Sequence, residues 1–318
     1  MILEVCYFLI WLIILSWGAD RFVFGASAFA KNLGVSPMII GLTIVAMGSS
    51  APEIMVAATA SFNGNTDTAV GNALGSNITN IALVLGLTAL LKPLSIASTT
   101  LKKEMPVLLL VSLLAVYFLS DHLLNKLEGI VLITLFFVVI GGLTWMSFNM
   151  EKGDLLQSET ENEIPSGVPT SKALLWLVVG MILLPLSAHF MVDSAQIIAR
   201  FFGLSELVIG LTVIAIGTSV PELAASVIAA LKGEKAISIG NLIGSNIFNI
   251  ASVLGLTSMI KNIPVTEPQI LTNDIFWMLA IAIGLLPLVL LPKKFVVTRF
   301  KGVLLLTAYV LFIYLAFS

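Results

Sequence analysis

The chain has 318 residues, of which 58% are apolar and only 11% are charged. This composition cannot supply the polar surface of a water-soluble domain, so we expect most of the surface to face lipid. The net charge of −2 is too small to indicate a nucleic acid partner, and the single cysteine, Cys6, excludes an internal disulfide. Because Cys6 lies in an apolar stretch, we expect it to be a small buried hydrophobic side chain.

Ten apolar segments are candidates to cross a hydrocarbon core of about 30 Å, which takes roughly 20 helical residues. In chain order, they lie at 2–29, 37–62, 68–91, 105–120, 127–148, 172–199, 206–231, 236–260, 271–292 and 300–317. The first segment has no basic stretch and no small-residue cleavage site, which favours a retained helix over a signal peptide. The sequence therefore predicts an all-α membrane protein with ten transmembrane helices.

The basic residues are distributed unevenly between the loops. If the N-terminus lies outside, twelve of the sixteen basic residues fall in cytoplasmic loops, three fall in external loops, and Arg21 lies within the first helix. Cytoplasmic loops of membrane proteins carry the excess of lysine and arginine. The pattern predicts a multi-pass protein of the cell membrane, inner or plasma, with both termini outside.

Two parts of the chain repeat each other. The segment GLTIVAMGSSAPE at 41–53 matches GLTVIAIGTSVPE at 210–222, and GNALGSNITNIALVLGLT at 71–88 matches GNLIGSNIFNIASVLGLT at 240–257. The offset is 169 residues throughout. A gapless match of this length, which includes polar positions, is not explained by apolar composition and indicates a duplicated structural unit.

Each copy of this unit holds five predicted helices, an odd number, so the second copy enters the membrane from the opposite side. Inverted repeats of this kind place substrate sites near the bilayer midplane, on interrupted helices. We expect a first five-helix repeat at 1–148, with its motif at 41–88, and a second at 172–318, with its motif at 210–257. Residues 149–171 form a flexible cytoplasmic linker. Helices 2, 3, 7 and 8 are expected to be broken at the centre of the protein.

Glu53 and Glu222 occupy equivalent positions in the middle of the second and seventh predicted helices. A charged side chain at this depth costs roughly 2.5–3.5 kcal/mol on insertion scales, so we expect a functional role. The residue before each glutamate is a proline, Pro52 or Pro221, which cannot donate a hydrogen bond to the carbonyl four residues earlier. The carbonyl oxygens freed by such a break must be satisfied by protein, water or a bound cation.

Hydroxyl and amide side chains accompany both glutamates on these helices. They are Ser49, Ser50, Ser76 and Asn80 in the first repeat and Thr218, Ser219, Ser245 and Asn249 in the second. All are hard oxygen donors of the kind that bind Ca2+ or Na+, whereas one cysteine and two histidines disfavour thiolate and imidazole metals. We therefore expect a cation site and no cofactor. The motif glycines, Gly71, Gly75, Gly240 and Gly244, fit either this site or close helix packing.

The motifs GSSAPEI at 48–54 and GTSVPEL at 217–223, each followed by a GNxxGSNxxN segment, resemble the two α-repeats of the cation/calcium antiporter family. This family comprises the sodium/calcium exchangers and their prokaryotic relatives, and the resemblance covers essentially the whole chain. It implies ten helices, alternating access, and ion coordination by the ten side chains named above. It also implies coordination by the backbone carbonyls of Ala46 and Ala215. The chain departs from the family pattern at Asn249, where well-known exchangers carry an aspartate.

Together these observations predict a secondary active antiporter, not an enzyme, that exchanges Ca2+ for Na+ and extrudes Ca2+. Ca2+, Na+ and the lipid bilayer are its expected partners, and no protein partner is implied. Two transport alternatives remain open: a Ca2+/H+ antiporter that uses the same glutamates, and a passive cation channel with acidic residues along its pore. An intramembrane hydrolase is disfavoured because Ser50 and Ser219 have no nearby histidine or lysine base in their motifs.

Overall fold

A computed structural model describes residues 2–148, 167–203, 213, 215–291 and 295–316. Their fold is almost entirely helical. The helices are α1 (Ile2–Leu33), α2 (Pro37–Ser49), α3 (Ala51–Phe62), α4 (Thr66–Leu91), α5 (Ser98–Lys102), α6 (Glu104–Leu119), α7 (Lys126–Phe148), α8 (Thr170–Phe201), α9 (Ala215–Thr218), α10 (Val220–Leu231), α11 (Lys235–Ile260), α12 (Ile270–Leu290) and α13 (Arg299–Ala316). The strands are β1 (Leu94–Ser95), β2 (Leu123–Leu124), β3 (Ile263–Pro264) and β4 (Val296–Val297), which pair antiparallel as β1 with β4 and β2 with β3.

Within the described residues, six helices are long and apolar enough to cross a membrane, namely α1, α4, α7, α8, α11 and α12. The bent pair α2 and α3 makes a seventh span if the two helices are counted together. The protein is therefore a multi-pass α-helical membrane protein. Most of the predicted linker at 149–171, and residues 206–212 of the predicted seventh span, lie outside the described residues.

The helices are interrupted directly before Pro52 and Pro221. At Ser50 the backbone leaves the helical conformation, with φ −84° and ψ 16°, and α2 and α3 meet at an angle of 47°. Ser219 adopts nearly the same conformation, with φ −88° and ψ 5°, between α9 and α10. Pro52 and Pro221 then occupy the first turn of the following helix, where a missing N–H group costs little. The expected breaks in the second and seventh helices are present.

The expected breaks in the third and eighth helices are wrong. The corresponding helices α4 and α11 are continuous, and each contains a π-helical segment, at Thr79–Leu85 and Asn249–Leu254. Neither helix contains a proline, so nothing removes a backbone donor from its interior. A π-helical turn keeps backbone groups hydrogen-bonded while it changes the direction of the side chains, which suits a helix inside the bilayer.

The repeated helices form the centre of the protein. Within their most apolar windows, 72% of the residues of α4 and 83% of those of α11 are buried, compared with 17% for α1 and 33% for α8. Helices α1 and α8 pack along each other at the periphery. Cys6 is exposed on α1, so the expectation that it is buried is wrong. The physical reason is that most side chains of the first turns of α1 face outward and not another helix.

Two of the motif glycines allow a close approach between α2 and α11. A Cβ atom at Gly240 would clash with the carbonyl oxygen of Met38 and lie 2.9 Å from the amide nitrogen of Leu42. A Cβ atom at Gly244 would clash with the carbonyl oxygen of Leu42. Close helix packing therefore explains both glycines. Their counterparts, Gly71 and Gly75, have no atom of the described residues within 4 Å of such a Cβ position, and both are partly exposed.

Candidate ion-binding site

The two glutamates meet at the centre of the protein. Glu53 lies in the first turn of α3 and Glu222 lies in the first turn of α10, and both side chains are 0% exposed. The hydroxyl of Ser50, three residues before Glu53, contacts the carboxylate of Glu222. The N-terminal turn of each helix provides a partial positive charge that favours a carboxylate. Two buried acidic groups from the two repeats therefore share one region that is shielded from solvent.

The hydroxyl groups before the prolines connect the repeats. The Oγ of Ser50 donates to Oε1 of Glu222 at 2.6 Å and approaches the Oγ of Ser245 at 3.0 Å. The Oγ of Ser49 donates toward Oδ1 of Asn241 at 3.0 Å. Both serines of the first repeat therefore contact side chains of the second repeat.

Several polar atoms of the site have no hydrogen-bond partner within the described part of the chain. Six of them are oxygens: both carboxylate oxygens of Glu53, Oε2 of Glu222, Oδ1 of Asn80, Oδ1 of Asn249 and Oγ of Ser219. Buried polar atoms are nearly always paired, and each one left unpaired costs about 1–3 kcal/mol. Unpartnered oxygens of two carboxylates, two amides and a hydroxyl form a donor set of the type and number that Ca2+ takes.

The structure also describes the remaining predicted ligands. Ser76 is 3% exposed and lies near the Glu53 carboxylate, although no hydrogen bond of ordinary geometry joins them. Ser245 is fully buried beside Glu222, and Thr218 is 8% exposed. The carbonyl of Ala46 accepts from the amide of Ser50 at 3.0 Å and from the hydroxyl of Ser49 at 3.3 Å, so other groups engage it here. Ala215 is the first residue of α9.

Two further asparagines belong to the site, and the sequence interpretation did not single them out. Nδ2 of Asn72 donates to the backbone carbonyl of Glu53, and Nδ2 of Asn241 donates to that of Glu222, each at 3.3 Å. Both asparagines follow the first glycine of the GNxxGSNxxN motif. The available signal was the recurrence of a polar residue at the repeat offset in an otherwise apolar helix. A role as ion ligands stays a prediction for the twelve residues named from the sequence.

Comparison with known proteins agrees with the two repeated motifs. Residues 3–145 and 172–318 match the family model described as sodium/calcium exchanger protein. The antiporter CaxA of Alkalimonas amylolytica is 50% identical over 100% of both chains, and the sodium/calcium exchanger MaX1 of Methanosarcina acetivorans is 31% identical over 97% of both. A solved structure of the sodium-calcium exchanger NCX_Mj is similar, with a TM-score of 0.81 and 34% identity over 98% of this chain and 97% of that one. These matches extend over nearly the whole chain, and the protein therefore belongs to the sodium/calcium exchanger family.

Proposed function

We propose that the protein is a secondary active antiporter that exchanges Ca2+ for Na+ by alternating access and extrudes Ca2+ from the cell. The observation that carries this proposal is the cluster of buried, unpartnered oxygens that both repeats contribute around Glu53 and Glu222. Two carboxylates carry a formal charge of −2, which neutralises one Ca2+. Three similar proteins support the same function: CaxA is named as an antiporter, and MaX1 and NCX_Mj are named as sodium/calcium exchangers.

The proposed architecture has ten transmembrane helices in two inverted five-helix repeats, 1–148 and 172–318, joined by the cytoplasmic linker 149–171. The elements around the site support it, because α3 and α4 correspond to α10 and α11 at the repeat offset, with their π-helical segments at equivalent positions. The distribution of basic residues supports external termini. The inverted arrangement places the two N-terminal helix turns at the midplane, where transporters of this design bind their substrates.

A Ca2+/H+ antiporter is the second candidate, and one feature of the chain favours it. Asn249 stands where the resemblance implies an aspartate, so the site has one fewer titratable group to bind a monovalent coupling cation. Protonation of Glu53 or Glu222 would then replace Na+ binding in the return step. The two antiporters share every proposed ligand, and only the driving gradient separates them.

The test is 45Ca2+ uptake into proteoliposomes that contain the purified protein. We expect uptake above equilibrium when the vesicles are loaded with Na+ and diluted into Na+-free buffer, and no uptake from a pH gradient alone. Uptake driven by a pH gradient without Na+ would assign the protein to the Ca2+/H+ class. Equilibration of Ca2+ without any gradient would indicate a channel, and absence of Ca2+ flux under every gradient would overturn the proposal.

A further inference from the structure

We propose that Asn241 is a positioning residue that directs the hydroxyl proton of Ser49 away from the ion site, so that Ser49 offers only oxygen lone pairs to a cation. This inference rests on the proposed ion-exchange function of the site. Asn241 lies outside the set of twelve predicted ligands. It acts through Ser49, and it does not need to touch the ion.

The orientation of the Asn241 side chain follows from its hydrogen bonds. One side of the carboxamide lies 3.3 Å from the backbone carbonyl oxygen of Glu222, which can only accept a hydrogen bond. The NH2 group must therefore face Glu222, where it also reaches the Oγ of Ser226 at 2.8 Å. This leaves Oδ1, a pure acceptor, 3.0 Å from the Oγ of Ser49. Ser49 must donate in that contact.

A serine hydroxyl has one proton and two lone pairs. When the proton of Ser49 is held by Asn241, both lone pairs remain available to a cation. A hydroxyl with no fixed acceptor can turn its proton toward the carboxylates and repel the ion. Besides Asn241, Ser49 contacts the carbonyl of Ala46 at 3.3 Å and lies close to the carboxylate of Glu222. Loss of Asn241 would therefore allow the proton of Ser49 to turn toward that carboxylate, where it would face the ion.

Packing keeps water from substituting for Asn241. The residue is 0% exposed, and its neighbour Gly240 lies directly against the backbone of α2. The equivalent Asn72 makes the same contact to its own repeat, from Nδ2 to the carbonyl of Glu53 at 3.3 Å. In both cases the asparagine lies 19 residues after the glutamate whose carbonyl it binds. The hydrogen bond from the asparagine to the glutamate carbonyl therefore recurs in both repeats, and it fixes the orientation of each carboxamide.

The expected loss of Ca2+ affinity can be taken from other metal sites, in which some groups orient the metal ligands without touching the metal. Their removal typically weakens metal binding by about 10- to 100-fold. We expect a loss of that size in the Ca2+ affinity of Asn241→Leu, which keeps the side-chain volume but removes the donor and the acceptor. Ser226→Ala is the matched control. It removes one partner of Asn241 and leaves the contacts with Ser49 and Glu222, so its Ca2+ affinity should stay within about threefold of wild type.

A double-mutant cycle in Ca2+ binding by isothermal titration calorimetry separates positioning from packing. In a Ser49→Ala background, Asn241→Leu should weaken Ca2+ binding by less than about threefold, because the hydroxyl that it positions is gone. Equal losses in both backgrounds, or no loss in the native background, would overturn the inference. If Asn241→Leu does not fold, Asn241→Ala enters the same cycle with the same criterion.

The same measurements distinguish a failure of this inference from a failure of the proposed function. Wild-type protein that binds neither Ca2+ nor Na+ would overturn the proposed function and, with it, the role of Asn241. Wild-type protein that binds and transports both ions, but whose double mutant shows additive losses, would overturn the inference alone. Wild-type protein that binds Ca2+ but transports it with a pH gradient leaves the positioning role of Asn241 intact.

Discussion

Replacing Glu53 or Glu222 by glutamine should separate the stability of the protein from its affinity for Ca2+. Both side chains are fully buried, and three of their four carboxylate oxygens have no hydrogen-bond partner among the described residues. An amide costs less to bury than a carboxylate without a counter-charge. We therefore expect each variant, without ions, to unfold at the same temperature as the ion-free wild type or at a higher one.

The effect on Ca2+ should have the opposite sign. Removal of one partner from a buried ionic contact costs about 3–5 kcal/mol, which is roughly a 150- to 5,000-fold loss of affinity. At 100 times its dissociation constant, Ca2+ would stabilise the wild type by about 2.7 kcal/mol. At the same concentration, a variant that binds about 150-fold more weakly would gain only about 0.3 kcal/mol. The Ca2+-dependent rise in unfolding temperature should therefore nearly vanish.

Thermal unfolding in detergent, with and without Ca2+, and 45Ca2+ flux measure these two effects. Glu104→Gln is a matched control, because Glu104 is 6% exposed, its Oε2 has no partner among the described residues, and it lies outside the predicted site. This variant should keep the wild-type response to Ca2+. If Glu53→Gln or Glu222→Gln retained the wild-type Ca2+ shift and flux, the carboxylates would not be part of the mechanism.

Three further predictions follow from the same geometry. Combined replacement of Pro52 and Pro221 by alanine should restore helical hydrogen bonds and weaken Ca2+ binding about tenfold; unchanged affinity by titration calorimetry would show that the breaks are dispensable. Gly240→Ala should lower the free energy of unfolding, measured by chemical denaturation, by about 1–2 kcal/mol because its Cβ atom would meet backbone atoms of α2; an unchanged free energy of unfolding would contradict this packing argument. If three Na+ exchange for one Ca2+, each cycle moves one net charge, which is worth about 2.3 kcal/mol per 100 mV. Flux should therefore respond to a valinomycin-clamped potential, in Asn249→Asp as in wild type, because the fixed charge of the protein cancels between the half-cycles; a flux independent of potential would exclude this stoichiometry.

The positions of the glutamates and of the helix breaks at Ser50 and Ser219 could be predicted from the sequence because their causes are local. A proline removes a specific backbone donor, so the interruptions at Ser50 and Ser219 follow from Pro52 and Pro221. A carboxylate within an apolar segment needs compensation, so Glu53 was expected to have a function. The recurrence of each feature at one offset then showed that they belong together.

The contacts between the repeats could not be predicted in the same way. The hydrogen bond from Ser50 to Glu222 joins residues 172 positions apart, and the spacing within either helix contains no information about it. The π-helical segments were also missed, because no single residue type specifies a π-helical turn. Exposure of Cys6 depends on which face of α1 lacks a neighbouring helix, and hydropathy alone does not identify that face.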